Sequence, residues 1–92
     1  MYLEIVTPEA TLFKGEVTSV AVPGVDGEFQ MLNNHAPIVS ILGKGKVKVY
    51  GDITIPKQFA NRFSKGDKNE TILPINSGTI EMNGNKVIVL AD

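Results

Sequence analysis

The stretch Ser77-Gly-Thr-Ile-Glu-Met-Asn-Gly-Asn-Lys-Val-Ile-Val-Leu90 decides how this chain folds. Ser77–Met82 reads as one strand and Lys86–Leu90 as its returning partner. Asn83–Gly84 lies between them and is the strongest hairpin signal in the sequence. Both central residues of a type I′ turn need positive φ, which Asn and Gly tolerate best.

Working back from that hairpin, short strand-like runs recur with turn residues between them. Thr71–Ile75 is β in character. Lys46–Tyr50 alternates, with Lys46, Lys48 and Tyr50 on one face and Val47 and Val49 on the other. That is the period of a half-buried strand. Ile53 and Ile55 prolong it briefly. Gly43-Lys44-Gly45 reads as a hairpin turn, and Ile38–Leu42, nearly all apolar, as a strand buried on both faces. Asn33–Asn34 marks a turn after the short strand Glu28–Leu32. Pro23-Gly24 and Asp26-Gly27 punctuate a loop. Val17–Val22 is a strand, Lys14-Gly15-Glu16 a turn signal after Leu12-Phe13, and Leu3 and Ile5 belong to an opening strand that stops before Pro8.

Pro56–Glu70 breaks the rhythm. Lys57, Arg62, Lys65 and Lys68 face Asp67 and Glu70 in composition, a local excess of two positive charges. Phe59 and Phe63 lie four apart, which permits a short amphipathic helical turn. The plainer reading is an extended hairpin loop with both rings tucked against the sheet edge. Strands at this spacing, with Gly, Pro and Asn between them, predict an all-β fold. We expect a flattened sandwich or barrel of about 8–10 short strands filling one domain, 1–92.

Composition narrows function. Hydrophobic residues make up 42% of the chain and charged residues 21%, so it can bury one modest core. Surface scaling predicts ~5,200 Å² exposed when folded. Nine basic and ten acidic residues leave a net charge of −1, which gives nucleic-acid binding no support. The absence of cysteine removes disulfides, thiolate nucleophiles and Cys-type zinc sites. The N-terminal residues MYLEIVTPEA match neither a signal nor a transit peptide, and the apolar run at Val87–Leu90 is far too short to span a bilayer.

The chemistry-bearing residues are few. His35 is the single histidine. None of Ser19, Ser40, Ser64 and Ser77 lies in a Gly-x-Ser-x-Gly elbow. Asp26 and Glu28 flank Gly27 in a turn, the ordinary place for such residues. Gly43-Lys44-Gly45-Lys46 lacks phosphate-loop spacing. The residues therefore predict a non-catalytic all-β domain without cofactor or metal, whose work is contact with other macromolecules. A stand-alone β-sandwich module for a ligand or protein is the alternative, and its expected aromatic platform has little material in six scattered rings.

Four segments, in order, resemble the epsilon subunit of F-type ATP synthases (delta in mitochondria). They are Leu3–Glu9 with Leu12–Val17; Val20–Gly24 with Asp26-Gly27-Glu28-Phe29; Asn34-His35-Ala36-Pro37-Ile38-Val39; and Ile75–Met82 with Asn85–Asp92. The resemblance implies a β-sandwich at the foot of the rotating central stalk. It implies binding to the gamma subunit and to the membrane c-ring loops, so that epsilon couples the two during proton-driven ATP synthesis. It further implies c-ring contact at Glu28 and Phe29, and gamma contact at Thr7, His35, Ala36, Pro37 and Ser40. The implied location is the cytoplasmic side of a bacterial plasma membrane, peripheral, held there only through the complex.

This sequence departs from the family pattern in four places. Asn33-Asn34 precedes His-Ala-Pro where the family often has Pro-Gly, and Thr79 replaces a usual glycine. Pro56–Glu70 looks longer than the family's hairpin there, an extended loop or insertion. The family's C-terminal helical hairpin, associated with inhibition of ATP hydrolysis, has no counterpart up to Asp92, so that inhibitory function is not expected.

Overall fold

A computed structural model describes residues 1–33 and 36–92. Ten strands follow one another: β1 Tyr2–Val6, β2 Thr11–Glu16, β3 Ser19–Gly24, β4 Gly27–Met31, β5 Ile38–Leu42, β6 Gly45–Tyr50, β7 Ser64–Lys65, β8 Thr71–Ile75, β9 Gly78–Asn83 and β10 Lys86–Ala91. The helical element among the described residues is a 3-10 turn, Lys57–Arg62. The all-β expectation holds, with no helical hairpin in these residues. The accessible surface is 5365 Å², close to the ~5,200 Å² that scaling predicts for one compact domain of this mass.

The strands form one curled sheet in the order β2-β1-β10-β9-β5-β3-β6-β8-β7, with β4 on the other flank of β3. Its two halves meet at a single pairing, Gly24 with Leu42. Curling lays the first half (β2, β1, β10, β9, β5) over the second (β4, β3, β6, β8, β7). The space between is filled by Leu3, Ile5, Ile80, Met82, Val87 and Val89 from one half, and by Val20, Val22, Met31, Val47, Val49 and Leu73 from the other, all 1% exposed or less. Residues two apart share a face in a strand, so each buried set fixes the set that faces water.

Four local expectations are corrected. Lys14-Gly15-Glu16 is not a turn: it continues β2, pairing with Glu4, Leu3 and Tyr2. A register shift between Ile5 and Val6 leaves Leu12 as an extra residue, so Leu12 and Phe13 are both buried. This is a β-bulge, and the Phe13 ring covers the bare backbone of Gly15. Gly43-Lys44-Gly45 is not a hairpin turn either. β5 pairs with β9 and β6 with β3 and β8, so this segment carries the chain from one half to the other, and Gly43 donates to the Pro23 carbonyl at 2.8 Å.

The third correction is the β9–β10 turn. Asn83 pairs with Lys86, so the two loop residues are Gly84 and Asn85. Gly84 has φ 63, while neither Asn83 nor Asn85 has a positive φ. Glycine at the first central position with positive φ is the type II′ pattern, not type I′. The fourth is β5, which is not buried on both faces: Val39 and Ile41 are 75% and 65% exposed. Asn34 of the expected Asn33–Asn34 turn lies outside the described residues.

The β6–β8 connection holds the 3-10 turn and the two-residue β7, which pairs with β8. Phe59 and Phe63 pack against the core together with Ile53 and Ile55. At its far end, Gly66 N–H donates to the Glu70 carbonyl, and the buried Glu70 carboxylate accepts from Lys68 N–H at 2.9 Å.

The end of β10 is drawn against the start of β9. Asp92 Oδ1 accepts from the Ser77 N–H at 3.1 Å, and hydrogen bonding from the Ser77 side chain first, and from this N–H, holds the Asp92 carboxyl below its ordinary value. A Cβ at Gly78 would sit 2.2 Å from the Leu90 carbonyl oxygen, whereas one at Gly43 would meet nothing. Gly78→Ala should therefore lower stability by about 1–3 kcal/mol through forced backbone displacement. Gly43→Ala should be neutral or stabilising by about 0.4–1 kcal/mol through the unfolded chain. Urea midpoints of the two variants against the parent check this pair.

Candidate functional site

The register of the first half assigns its outer face row by row. One row reads Ile41, Thr79, Leu90, Val6, Thr11 across β5, β9, β10, β1 and β2. The next reads Val39, Glu81, Ile88, Glu4, Lys14. A third, at the far end, holds Asn83, Lys86, Tyr2 and Glu16. The first row carries no charge, the second three and the third two. Val39, Ile41 and Leu90 (49% exposed) stand in water. Beside the first row runs an open groove of about 670 Å³ lined by Val6, Pro8, Ile41, Thr79 and Leu90 among others. Scattered exposed apolar residues need no explanation, but a contiguous apolar patch marks a contact surface.

The outer face of the second half differs. β6 sends out Lys46, Lys48 and Tyr50. Lys48 Nζ lies 3.1 Å from Glu28 Oε1, and the pair bridges diagonally over β3. Gln30 Nε2 donates to Ser19 Oγ at 2.9 Å. These side chains cover Ser19 and Ala21, which are buried although they face outward. The hydrogen bond and charge of Glu28 hold the Lys48 ammonium above its ordinary pKa. The second half thus presents an interlocked polar layer, and the first half an uncharged row with exposed aliphatic side chains beside charged rows.

Against this geometry the expected contact residues separate. Glu28 is exposed on β4, already paired with Lys48, while the tip of its hairpin is Val25–Asp26, with Val25 65% exposed. Phe29 is half-buried and packs on the core, its ring against Gly24. Ala36 and Pro37 are exposed. His35 lies outside the described residues. Thr7 is buried, its hydroxyl donating to the Ala10 carbonyl at 3.1 Å. Ser40 lies on the inner side of β5, between Ile38 and Leu42 and opposite the fully buried Ile80.

The outward side chains next to Thr7 and Ser40 are Val6, Val39 and Ile41, which sequence reasoning did not single out. Alternation read on Ile38-Val-Ser-Ile-Leu42 alone points Ser40 outward. The available signal was the flanking pair Ile38 and Leu42, which share a face with Ser40 and anchor it inward.

Among the described residues no group of three or more His, Cys, Asp or Glu could hold a metal ion, and no helix is long and apolar enough to cross a membrane. The fold and its two contrasting faces define a β-sandwich interaction domain.

The whole chain, residues 1–92, matches the family model described as the ATP synthase delta/epsilon chain β-sandwich domain. An ATP synthase epsilon chain from Chlorobium limicola is 42% identical over 90 residues, covering 98% of this chain and 86% of that relative. One from Campylobacter curvus is 36% identical over 92 residues, covering all of this chain but 60% of the relative. The fold is shared with a chain in the cryo-EM structure of the Tetrahymena thermophila mitochondrial ATP synthase central stalk and c-ring. There the TM-score is 0.75 at 10% identity, over 98% of this chain and 61% of that one. It is also shared with a chain of the Euglena gracilis mitochondrial ATP synthase, with TM-score 0.72 at 17% identity, over 97% and 48%. The chain belongs to the ATP synthase delta/epsilon chain family, through its β-sandwich domain.

Because Lys48 has a raised folded-state pKa, the Glu28–Lys48 pair contributes stability that is present below the unfolded value of 10.5 and lost as pH rises through the folded value. Lys48→Gln should therefore be less stable than the parent at neutral pH, and the gap should close in alkaline solution above pH 10.5. Urea midpoints measured across that range check it.

Proposed function

We propose that this chain is a non-catalytic subunit of the rotor of an F-type ATP synthase, coupling the gamma subunit to the c-ring during proton-driven ATP synthesis. The observation that carries the reading is the wet apolar row Ile41–Leu90–Val6 with Val39 beside it. A face of this kind on a compact domain is stabilised by a permanent partner. In a family of ATP synthase subunits that partner is gamma. Ala36 and Pro37 continue the surface beyond the start of β5, with His35 next in the chain; β5, which carries Ser40, and the end of β1, which Thr7 follows, form its frame.

The c-ring loops belong at the other candidate region, the β3–β4 hairpin. Val25 and Asp26 form its tip, and Glu28 and Phe29 follow. Glu28 supplies a carboxylate acceptor for arginine or amide donors, and Phe29 roots the hairpin in the core. Residues 1–92 act as one rigid β domain, stiff because its interior is close-packed. The segment 56–70 is an extended connection on its flank. The domain is peripheral and sits on the cytoplasmic side of a bacterial plasma membrane, held there by gamma and the ring. Residues 1–92 by themselves act in coupling and not as a brake.

Two measurements test this. The chain used as bait on detergent-solubilised membranes of its native host should recover gamma with the catalytic and c subunits. Ile41→Asp, at an exposed position that leaves the core intact, should weaken gamma capture at least ~10-fold, a loss of about 1.4 kcal/mol or more. Recovery of none of these subunits by a folded bait overturns the assignment. Added to the gamma-containing catalytic complex, these 92 residues should leave ATP hydrolysis largely unsuppressed; strong inhibition would rule out coupling without a brake.

A further inference from the structure

Among the described residues, one carboxylate on the outer face of the first half has no ion-pair partner. Glu81 is exposed on β9, with Val39 beside it on β5 and Ile88 on β10. It lines a groove of about 310 Å³ together with Pro37, Val39 and Asn83. The other carboxylate of its row, Glu4, has Lys86 at 4.0 Å, and that ammonium also lies 5.9 Å from the centre of the Tyr2 ring. Lys14 is cross-strand from Glu4, three strands away from Glu81. Among the described residues no cation comes within ion-pair distance of Glu81.

In the free chain Glu81 is solvated and needs no partner. Once Val39 and Ile41 are covered, water leaves the groove, and a carboxylate stripped of water is costly unless a cation or hydrogen-bond donor replaces it. Apolar contact is non-directional and leaves docking free to slide. A single charge fixes the register, because a displaced partner leaves Glu81 desolvated and unpaired.

We propose that the surface covering this face is an apolar strip bearing one lysine or arginine aimed at Glu81, and that Glu81 sets the register of docking. Arginine suits the position better, since its planar fork can engage a carboxylate with two parallel hydrogen bonds. The inference rests on the reading that gamma covers this face. It adds the chemistry gamma must present there: apolar side chains opposite Val39, Ile41 and Leu90, and a cation beside the place where Pro37 and Val39 approach β9.

The test titrates the full chain onto the gamma-containing catalytic complex of the same organism, freed of its own copy of this subunit, at low and at near-physiological salt. Glu81→Gln keeps shape and removes charge, Glu81→Lys reverses the charge, Ile41→Asp reports on the apolar face, and Lys46→Gln is a control on the opposite face. Loss of a charge-assisted hydrogen bond predicts roughly ten- to a hundredfold weaker binding for Glu81→Gln. Its salt dependence should also be shallower than the parent's, Glu81→Lys should bind more weakly still, and Lys46→Gln should bind like the parent. If Ile41→Asp destroys binding while both Glu81 variants match the parent in affinity and salt dependence, the charge anchor is wrong and the docking face stands. If Ile41→Asp also binds normally, the docking face itself is wrong, and the anchor falls with it.

Discussion

The opening strand of this domain is held beside the closing one. Tyr2–Val6 pairs in parallel with Lys86–Leu90 over five residues, and β2 reaches the sheet only through β1. Contacts so far apart in sequence cannot form until nearly the whole chain has been gathered, and closing so long a loop is entropically unfavourable. The central position of β10 compensates. It is paired on both sides, by β1 and by β9, and Val87 and Val89 are fully buried. Every outward residue of the apolar face takes its place from this pairing: Val6 lies beside Leu90 because Leu3 and Ile5 are locked inward beside Val87 and Val89.

That constraint separates the two broad faces chemically. In the second half, outward positions are occupied by long polar side chains that cross over β3, and the Glu28–Lys48 pair and Gln30 shield its backbone. In the first half, outward positions on β5 and β10 carry branched aliphatic residues, and Val39, Ile41 and Leu90 remain exposed. A domain of this size cannot hide all of its apolar surface. What distinguishes this face is that Leu90 and Val6 are neighbours in register and Ile41 lies just beyond Thr79 in the same row, so they line one groove. The scaffold beneath it is close-packed and deforms little.

The candidate site was partly legible in the sequence. The order of the four family-like segments led to strands that border the exposed aliphatic row, and Ala36 and Pro37, expected as contacts, are exposed. The side chains at Thr7 and Ser40 were not legible. Each sits one residue from an outward-facing aliphatic neighbour, and in a strand one residue is the whole difference between core and solvent. Glu28 was legible as a turn-side carboxylate, but its ion pair with Lys48 joins residues on β4 and β6 across β3, which no local pattern encodes.

By itself the sequence determined the all-β class, the spacing of the short strands, the β9–β10 hairpin, the thin catalytic inventory and the family. Each of these is carried by local composition, period or motif order. The tertiary structure alone decided that Gly43-Lys44-Gly45 crosses between layers, that a bulge turns Leu12 and Phe13 both inward, and that Val39 and Ile41 face water. The reason is common to all three. A run such as Ile38–Leu42 has almost no polar alternation of its own, so its wet face is assigned by the strand it pairs with, and here Ile80 and Met82 on β9 draw Ser40 and Ile38 to the inner side.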